Sequence, residues 1–288
     1  MADTDIAPQG TAAPDQAAGV LKADNQNMMT NASDDDLPVT LPRTRAYTTN
    51  AAQAPRRVAV TPLQISVIIP VYNERETLLP VVARVLRQPG VTEVVIIDDC
   101  STDGTRELMR QTAWPAAVRA LYHERNMGKG ASIRTGITAA TKDIVIIQDA
   151  DLEYDPSDYA VIMKPIFDGS ADVVYGSRFL GRSEGFSWSH LLGNKLLTWL
   201  TVLLYHNDVT DMETCYKAFR TPIIKQVRIR SNRFDFEPEI TAKISRLGYR
   251  IHEVPISYNG RNFDAGKKLT WRDGFHAVWA LARFRFTD

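Results

Sequence analysis

Cysteine is scarce in this chain of 288 residues, which has only Cys100 and Cys215. Two distant thiols supply neither a disulfide framework nor a metal-ligand spacing. Neither has a sequence neighbour that would make a nucleophilic pair, so both read as structural. Net charge is lacking as well: 34 basic residues balance 34 acidic ones. That removes the basic surplus of a nucleic-acid binder, and no nucleic-acid partner is expected. No basic start runs into an apolar core and a small-residue cleavage site, so export by a signal peptide is not expected. A reducing, cytoplasmic setting fits this and the cysteine count. Residues 1 to 63 lack aromatics apart from Tyr47 and lack apolar periodicity. Rich in Ala, Thr, Asp, Asn, Gln and Pro, they cannot offset the entropy of ordering, and a disordered tail is expected. Its first 42 residues carry seven Asp against Lys22, and Arg43, Arg45, Arg56 and Arg57 follow. This composition suits a solvating leader or an electrostatic attachment to anionic lipid.

What is present begins at Gln64. Short Val/Ile runs alternate with helical patterns, which predicts an α/β fold with a mostly parallel sheet flanked by helices. Strands are expected at 65–70, 91–99, around 119–122, in the run before Asp149, and at 173–177. Helices are expected at 76–86, 102–110 (with Ser101 or Thr102 near its start), 130–140 and 158–167. Length and a hydrophobic content of 44% allow a full core. One domain over 64–288 is expected.

The segment DIVIIQDADLE (143–153) brings Asp149 and Asp151 to a strand end, two residues apart and on one side of an extended chain. Paired carboxylates suit Mg²⁺ or Mn²⁺ carrying a phosphate, although two turn aspartates capping the next helix would read the same way. Polar clusters also follow the first two strands, at 71–74 and 98–102. Ligands in open α/β sheets sit beyond the carboxyl ends of strands, so the three clusters are expected to converge on one crevice.

Taken in order, PVYNE (70–74), DDCSTDGT (98–105), RNMGKGASIRTG (125–136), DADLE (149–153) and YGSRF (175–179) resemble family 2 glycosyltransferases of the Rossmann-like GT-A fold. Within them the chain looks most like the polyprenyl-phosphate mannosyl- and glucosyltransferases, the dolichyl-phosphate mannose synthase group. The resemblance spans about 225 residues, 64–288. It implies a nucleotide-sugar half over about 64–180 and an acceptor half over about 181–288. It places Pro70, Tyr72 and Glu74 around the base and ribose, and Asp98 or Asp99 on the nucleotide, where a carboxylate accepts directional hydrogen bonds. Gly128, Lys129 and Gly130 would favour phosphate at a helix start; without the resemblance they read as a helix cap. Asp149, Ala150 and Asp151 match the donor and metal segment, with Glu153 as a third ligand where relatives often carry Gln. Arg178 matches an arginine near donor or acceptor phosphate.

The distal part continues the resemblance. WSHLLGNKLLTWLTVLLY (188–205) is apolar but interrupted by His190, Asn194 and Lys195, short for a membrane span. It reads as a core helix or as a helix lying in a bilayer interface. DVTDMETCYKAFR (208–220) aligns with an acceptor-side loop, with Asp211 as its polar candidate or a helix cap. FDFEPEITAKI (234–244) sends Glu237 and Glu239 to different faces of a helix start. YNGRNFDAGKKLTWRDG (258–274) resembles a basic loop closing over phosphates, through Arg261, Lys267 and Lys268, or is a solvated basic loop. The terminal WRDGFHAVWALARFRF sets aromatics beside Arg272, Arg283 and Arg285, as in a helix at a headgroup layer.

The resemblance thus implies metal-dependent, inverting transfer of a hexose to a polyprenyl phosphate. Asp151, Arg178, Asp211 and Arg261 are its catalytic candidates. GDP-mannose is the first donor to consider, with UDP-glucose and UDP-N-acetylglucosamine beside it. Attachment would be peripheral, on the cytoplasmic face, or supplied by a membrane-protein partner. Two alternatives stand: transfer to a saccharide or small-molecule hydroxyl, with Glu237 as first candidate base, or a non-catalytic sugar-nucleotide sensor.

Overall fold

The computed structural model describes residues 62–184, 188–260 and 271–287. All but the last two residues of the expected tail lie outside them, as does the loop carrying Arg261, Lys267 and Lys268.

Strands β1 (Ile65–Val71), β2 (Val91–Asp98), β3 (Val118–Tyr122) and β4 (Ile144–Ile147) run parallel, in the order β3-β2-β1-β4. Their crossovers contain helices α1 (Leu78–Val85), α2 (Thr105–Gln111) and α3 (Lys129–Ala139). Residues 65–69 and 94–97 are fully buried, which is why these strands read as continuous apolar runs rather than alternating ones.

Next come a 3-10 turn (Pro156–Asp158), α4 (Tyr159–Phe167), β5 (Val173–Ser177), β6 (Ser183–Glu184) and α5 (Trp188–Tyr205). Strand β7 (Lys217–Arg220) then inserts between β4 and β5, antiparallel to both. After α6 (Thr221–Gln226) and α7 (Phe236–Arg246), β8 (Ile251–Pro255) extends the sheet parallel to β5. A two-residue strand, β9 (Tyr258–Asn259), pairs with β6, and α8 (Trp271–Phe286) ends the chain. The mostly parallel sheet with flanking helices is therefore as expected, with seven strands in the order β3-β2-β1-β4-β7-β5-β8.

One local expectation is corrected. Helix α2 starts at Thr105, and neither Ser101 nor Thr102 caps it. Asp103 Oδ1 accepts the Thr105 N–H at 3.0 Å, while the Ser101 hydroxyl accepts the Asn73 N–H at 2.9 Å. The loop after β2 is thereby strapped to the loop after β1, and Thr105 Oγ1 adds a bond from the Glu74 N–H at 3.0 Å. Strands β7 and β8 had no forecast. β7 has four residues and a fully buried Lys217, an unusual strand composition.

Just beyond β1, β2 and β4, the backbone turns through left-handed residues: Asn73 (φ 57°), Cys100 (φ 64°) and Leu152 (φ 64°). Non-glycine residues there cost of order 1 kcal/mol or more each and persist only where the surroundings over-determine them. All three lie in the clusters that were expected to converge.

Candidate active site

The carboxyl ends of β1, β4 and β5 open on a crevice of about 500 Å³. It gathers Pro70, Tyr72, Glu74, Asp99, Gly128, Lys129, Asp149, Ala150, Asp151, Glu153 and Arg178, all singled out from the sequence. Asp98, Gly130 and Asp211 are not on its wall.

The β4 end is anchored from below. Gln148 is fully buried; its Oε1 accepts the hydroxyls of Tyr159 (2.9 Å) and Tyr216 (2.8 Å), and its Nε2 donates to the Asp149 carbonyl at 3.0 Å. The turn carrying the carboxylates is therefore tied to the core. Asp151 Oδ1 accepts the Glu153 N–H at 3.1 Å, and Glu153 Oε2 accepts the Tyr258 hydroxyl at 2.7 Å. Asp149 Oδ1 lies 2.8 Å from Lys129 Nζ, which also reaches Glu237 Oε1 at 3.4 Å. Burial opposes the Lys129 charge, but Asp149 foremost, with Glu237, holds its pKa well above the ordinary lysine value. Glu237 Oε2 in turn sits 2.8 Å from Lys217 Nζ, off the hydrogen-bonding direction. Lys217 Nζ donates to the carbonyls of Met212 and Thr214. Glu239, on another face of α7, accepts the N–H groups of Arg230 and Ser231 and pairs with Lys243 at 2.8 Å.

Arg178 is held by Asp211 through Nε and Nη2, each at 2.7 Å, and its backbone N–H adds a third bond at 3.0 Å. Asp211 is fully buried, so its role in the structure is to orient Arg178 rather than to cap a helix. The Asp211 loop is fixed by Glu253 of β8, which accepts the N–H groups of Thr210 (2.7 Å) and Asp211 (3.0 Å). The guanidinium also lies over the Tyr258 ring, 5.2 Å from its centroid.

The second-strand carboxylates both have partners within the protein. Asp98 is fully buried and pairs with Arg106 at 2.6 Å, so it is off the crevice. Asp99 lines the crevice but accepts the N–H groups of Met127 (2.8 Å) and Gly128 (2.6 Å), and lies 2.7 Å from His123 Nδ1. The start of α3, the expected phosphate seat, also packs closely against the 231–233 backbone. A Cβ on Gly128 would stand 2.3 Å from the Asn232 carbonyl oxygen, and one on Gly130 2.6 Å from that of Ser231. The Ala131 N–H donates to Asn232 O at 3.1 Å. These glycines admit the 231–233 backbone, a close approach that no local pattern announces.

Glu213, Lys217, Tyr258 and Asn194 escaped the sequence reading of the site. Glu213 and Lys217 lie inside the 208–220 segment, where charged residues among apolar neighbours were the available signal. Burial pushes the Cys215 thiol well up, consistent with an inert structural cysteine.

Among the described lining residues, seven carboxylates (Glu74, Asp99, Asp149, Asp151, Glu153, Glu213, Glu237) face three cations (Lys129, Arg178, Arg233). A diphosphate would meet repulsion there unless a cation came with it. No three acidic, histidine or cysteine side chains form a ready-made metal cage among the described residues. Mg²⁺ is commonly held by one or two carboxylates plus substrate phosphates and water. Asp149 and Asp151 are two such carboxylates and fit a metal of that kind, with Glu153 two residues further along the chain.

Residues 66–228 match the family model described as glycosyl transferase family 2. The chain is 31% identical over 239 residues to UDP-N-acetylglucosamine–dolichyl-phosphate N-acetylglucosaminyltransferase of Methanococcus voltae, covering 75% of this chain and 94% of that one. It is 26% identical over 211 residues to polyprenol monophosphomannose synthase of Mycolicibacterium smegmatis, covering 70% and 79%. Among solved structures it resembles glucosyl-3-phosphoglycerate synthase from Mycobacterium tuberculosis in complex with Mn²⁺, UDP and phosphoglyceric acid. There the TM-score is 0.61 at 20% identity, over 78% of this chain and 80% of that one, a shared GT-A fold. With more than half of its length matched by the family model, the chain belongs to glycosyl transferase family 2.

Proposed function

We propose that the chain transfers a hexose, with inversion, from a nucleotide diphosphate sugar to a polyprenyl monophosphate at a membrane surface, with Mg²⁺ or Mn²⁺ as cofactor. The observation that carries this reading is the crevice's position beside an apolar shelf. Helix α5 contributes Asn194 to the crevice wall. On the opposite side of the same helix, Leu192, Leu196, Trp199 and Leu203 are 54 to 72% exposed and follow one helical stripe. Helix α8, joined to α5 by the Tyr205 hydroxyl donating to the Leu281 carbonyl at 2.6 Å, exposes Phe275, Trp279 and Phe286. No described helix is long and apolar enough to cross a membrane, so a bilayer would be met edge-on, with Arg283 and Arg285 at the headgroups. The names of the two relatives, each citing a polyprenol-type phosphate, support the same acceptor.

In this reading Asp149, Asp151 and Glu153 hold the cation. Bound there, the metal supplies Lewis-acid neutralisation of the departing nucleoside diphosphate. Arg178, oriented by Asp211, positions a phosphate. Tyr72, Glu74 and Asp99 border the nucleotide, and Arg261, Lys267 and Lys268 are proposed to close over the phosphates. A lipid phosphate is already ionised, so positioning and electrostatics carry the rate without an obligatory protein base. GDP-mannose is the first donor to test, and the cytoplasmic face of the membrane the proposed location.

The test uses labelled GDP-mannose, UDP-glucose and UDP-N-acetylglucosamine with a short polyprenyl phosphate, with Mn²⁺ or Mg²⁺ and again with EDTA. Metal-dependent label in the organic phase is expected from one donor. Label retained in EDTA would remove the metal from the reading, and no lipid product from any donor would remove the acceptor.

A further inference from the structure

Six of the seven crevice carboxylates have partners within the protein. Asp149 and Glu237 face lysines at 2.8 Å, Asp99 and Asp151 accept backbone N–H groups, and Glu74 and Glu153 accept hydroxyls from Thr77 and Tyr258. Glu213 differs. Its Oε1 is buried with no hydrogen-bond partner, and among the described residues no cation pairs with its carboxyl. An ionised carboxylate left so is costly, and the ordinary response is to keep the proton. Burial above all, and then Glu237, raise the Glu213 pKa to about 7, with Asp211 adding to the rise and Lys217 and Arg178 opposing it. These neighbours come from α7, the Glu213 loop itself, β7 and the end of β5. The other charged groups lining the crevice are Lys129, Arg233, Asp149, Asp151, Glu74, Asp99 and Glu153.

A protonated carboxyl is a hydrogen-bond donor, whereas an ionised phosphate offers acceptors only. A phosphate entering beside Glu213 adds negative charge and so reinforces the proton. Carboxylic acids held neutral at pH 7 in order to donate a hydrogen bond are known in enzyme sites. We propose that Glu213 is a substrate contact whose protonated carboxyl donates its O–H to a phosphate oxygen, next to Arg178. The inference deepens the proposed lipid-phosphate reading. The phosphate could belong to the acceptor or to the nucleotide diphosphate.

Binding would then require the proton, and affinity would fall as pH rises past 7. The test compares the wild type with Glu213→Gln, which keeps an N–H donor at every pH, and with Glu213→Ala, which has none. KM for polyprenyl phosphate and KM for the nucleotide sugar are measured separately between pH 7 and 8.5, where a phosphate monoester with a second pKa near 6 is already a dianion. For one of the two substrates, the wild-type KM should climb on the order of tenfold. It should stay flat in Glu213→Gln and be raised but flat in Glu213→Ala. The substrate whose KM moves identifies the phosphate. A wild-type KM flat for both substrates, or a climb shared by Glu213→Gln, overturns the proposal. If the wild type does not glycosylate polyprenyl phosphate, the acceptor reading fails. The same pH comparison, made on the dissociation constants of UDP and GDP, then decides the role of Glu213.

Discussion

Arg178 and Asp211 are more consequential as a pair than either is alone. Both are buried, and removing one partner strands the other charge. Asp211→Asn should therefore cost about 3 to 5 kcal/mol in urea unfolding, with loss of transfer activity as Arg178 loses its orientation. A cost below about 1 kcal/mol would show that the clamp is dispensable. Glu213 gives a stability effect of the opposite sign. Its folded-state pKa of about 7 stands above the ordinary 4.5. The stability linked to its proton is full below pH 4.5 and is lost as pH rises through 7. Glu213→Gln should then be more stable than wild type by about 3 kcal/mol at pH 8.5, and by nothing from this source at pH 4. An equal difference at both pH values would contradict the shifted titration. Asp151→Ala is expected to abolish metal-dependent turnover while leaving the circular dichroism spectrum unchanged. Near-normal turnover would withdraw Asp151 as a ligand. At this scale the sequence identified carboxylates and arginines but not their partners. Asp98 and Asp99 look alike in DDCSTDG, yet one is buried against Arg106 and the other lines the crevice. Pairings such as Arg178 with Asp211, 33 residues apart, depend on the tertiary fold.

Among the elements, strands β1, β2 and β4 were legible because burial on both faces writes them as near-continuous Val/Ile runs. Strand β7 was not, since Lys-Ala-Phe-Arg has neither that run nor a clear alternation. Its Lys217 is buried because Glu237 and two carbonyls receive the ammonium. Helix α3 was read correctly as a helix, but that its glycines also serve packing was not legible. Gly136 shows the same device on the sheet side: a Cβ there would lie 2.3 Å from Ile68 Cγ2 and 3.0 Å from Ile97 Cδ1. Gly136→Ala should lower stability by about 1 to 3 kcal/mol through overpacking, despite alanine's better helix propensity. A variant as stable as wild type in urea would show that α3 can move off the sheet without cost.

For the molecule as a whole, a net charge of zero conceals a crevice with seven carboxylates against three cations among its described residues. The convergence of three strand ends was legible from topology; the charge imbalance required the fold. Composition also left open whether residues 188–205 form a core or an interfacial helix. The structure gives the helix a buried side and an exposed apolar side: Thr198 and Thr201 are buried while Trp199 is 60% exposed. Replacing Trp199 and Trp279 together by Ser should weaken binding to anionic lipid vesicles at least tenfold, because two amphipathic rings leave the interface. Unchanged sedimentation with vesicles would remove the shelf as the membrane contact. The most direct measurement offers the metal-loaded protein its preferred labelled nucleotide sugar with equal amounts of polyprenyl phosphate, dephosphorylated polyprenol and a soluble oligosaccharide. Label should pass to polyprenyl phosphate and leave the other two unlabelled. Label on the oligosaccharide or on free polyprenol, with polyprenyl phosphate untouched, would contradict transfer to a lipid phosphate.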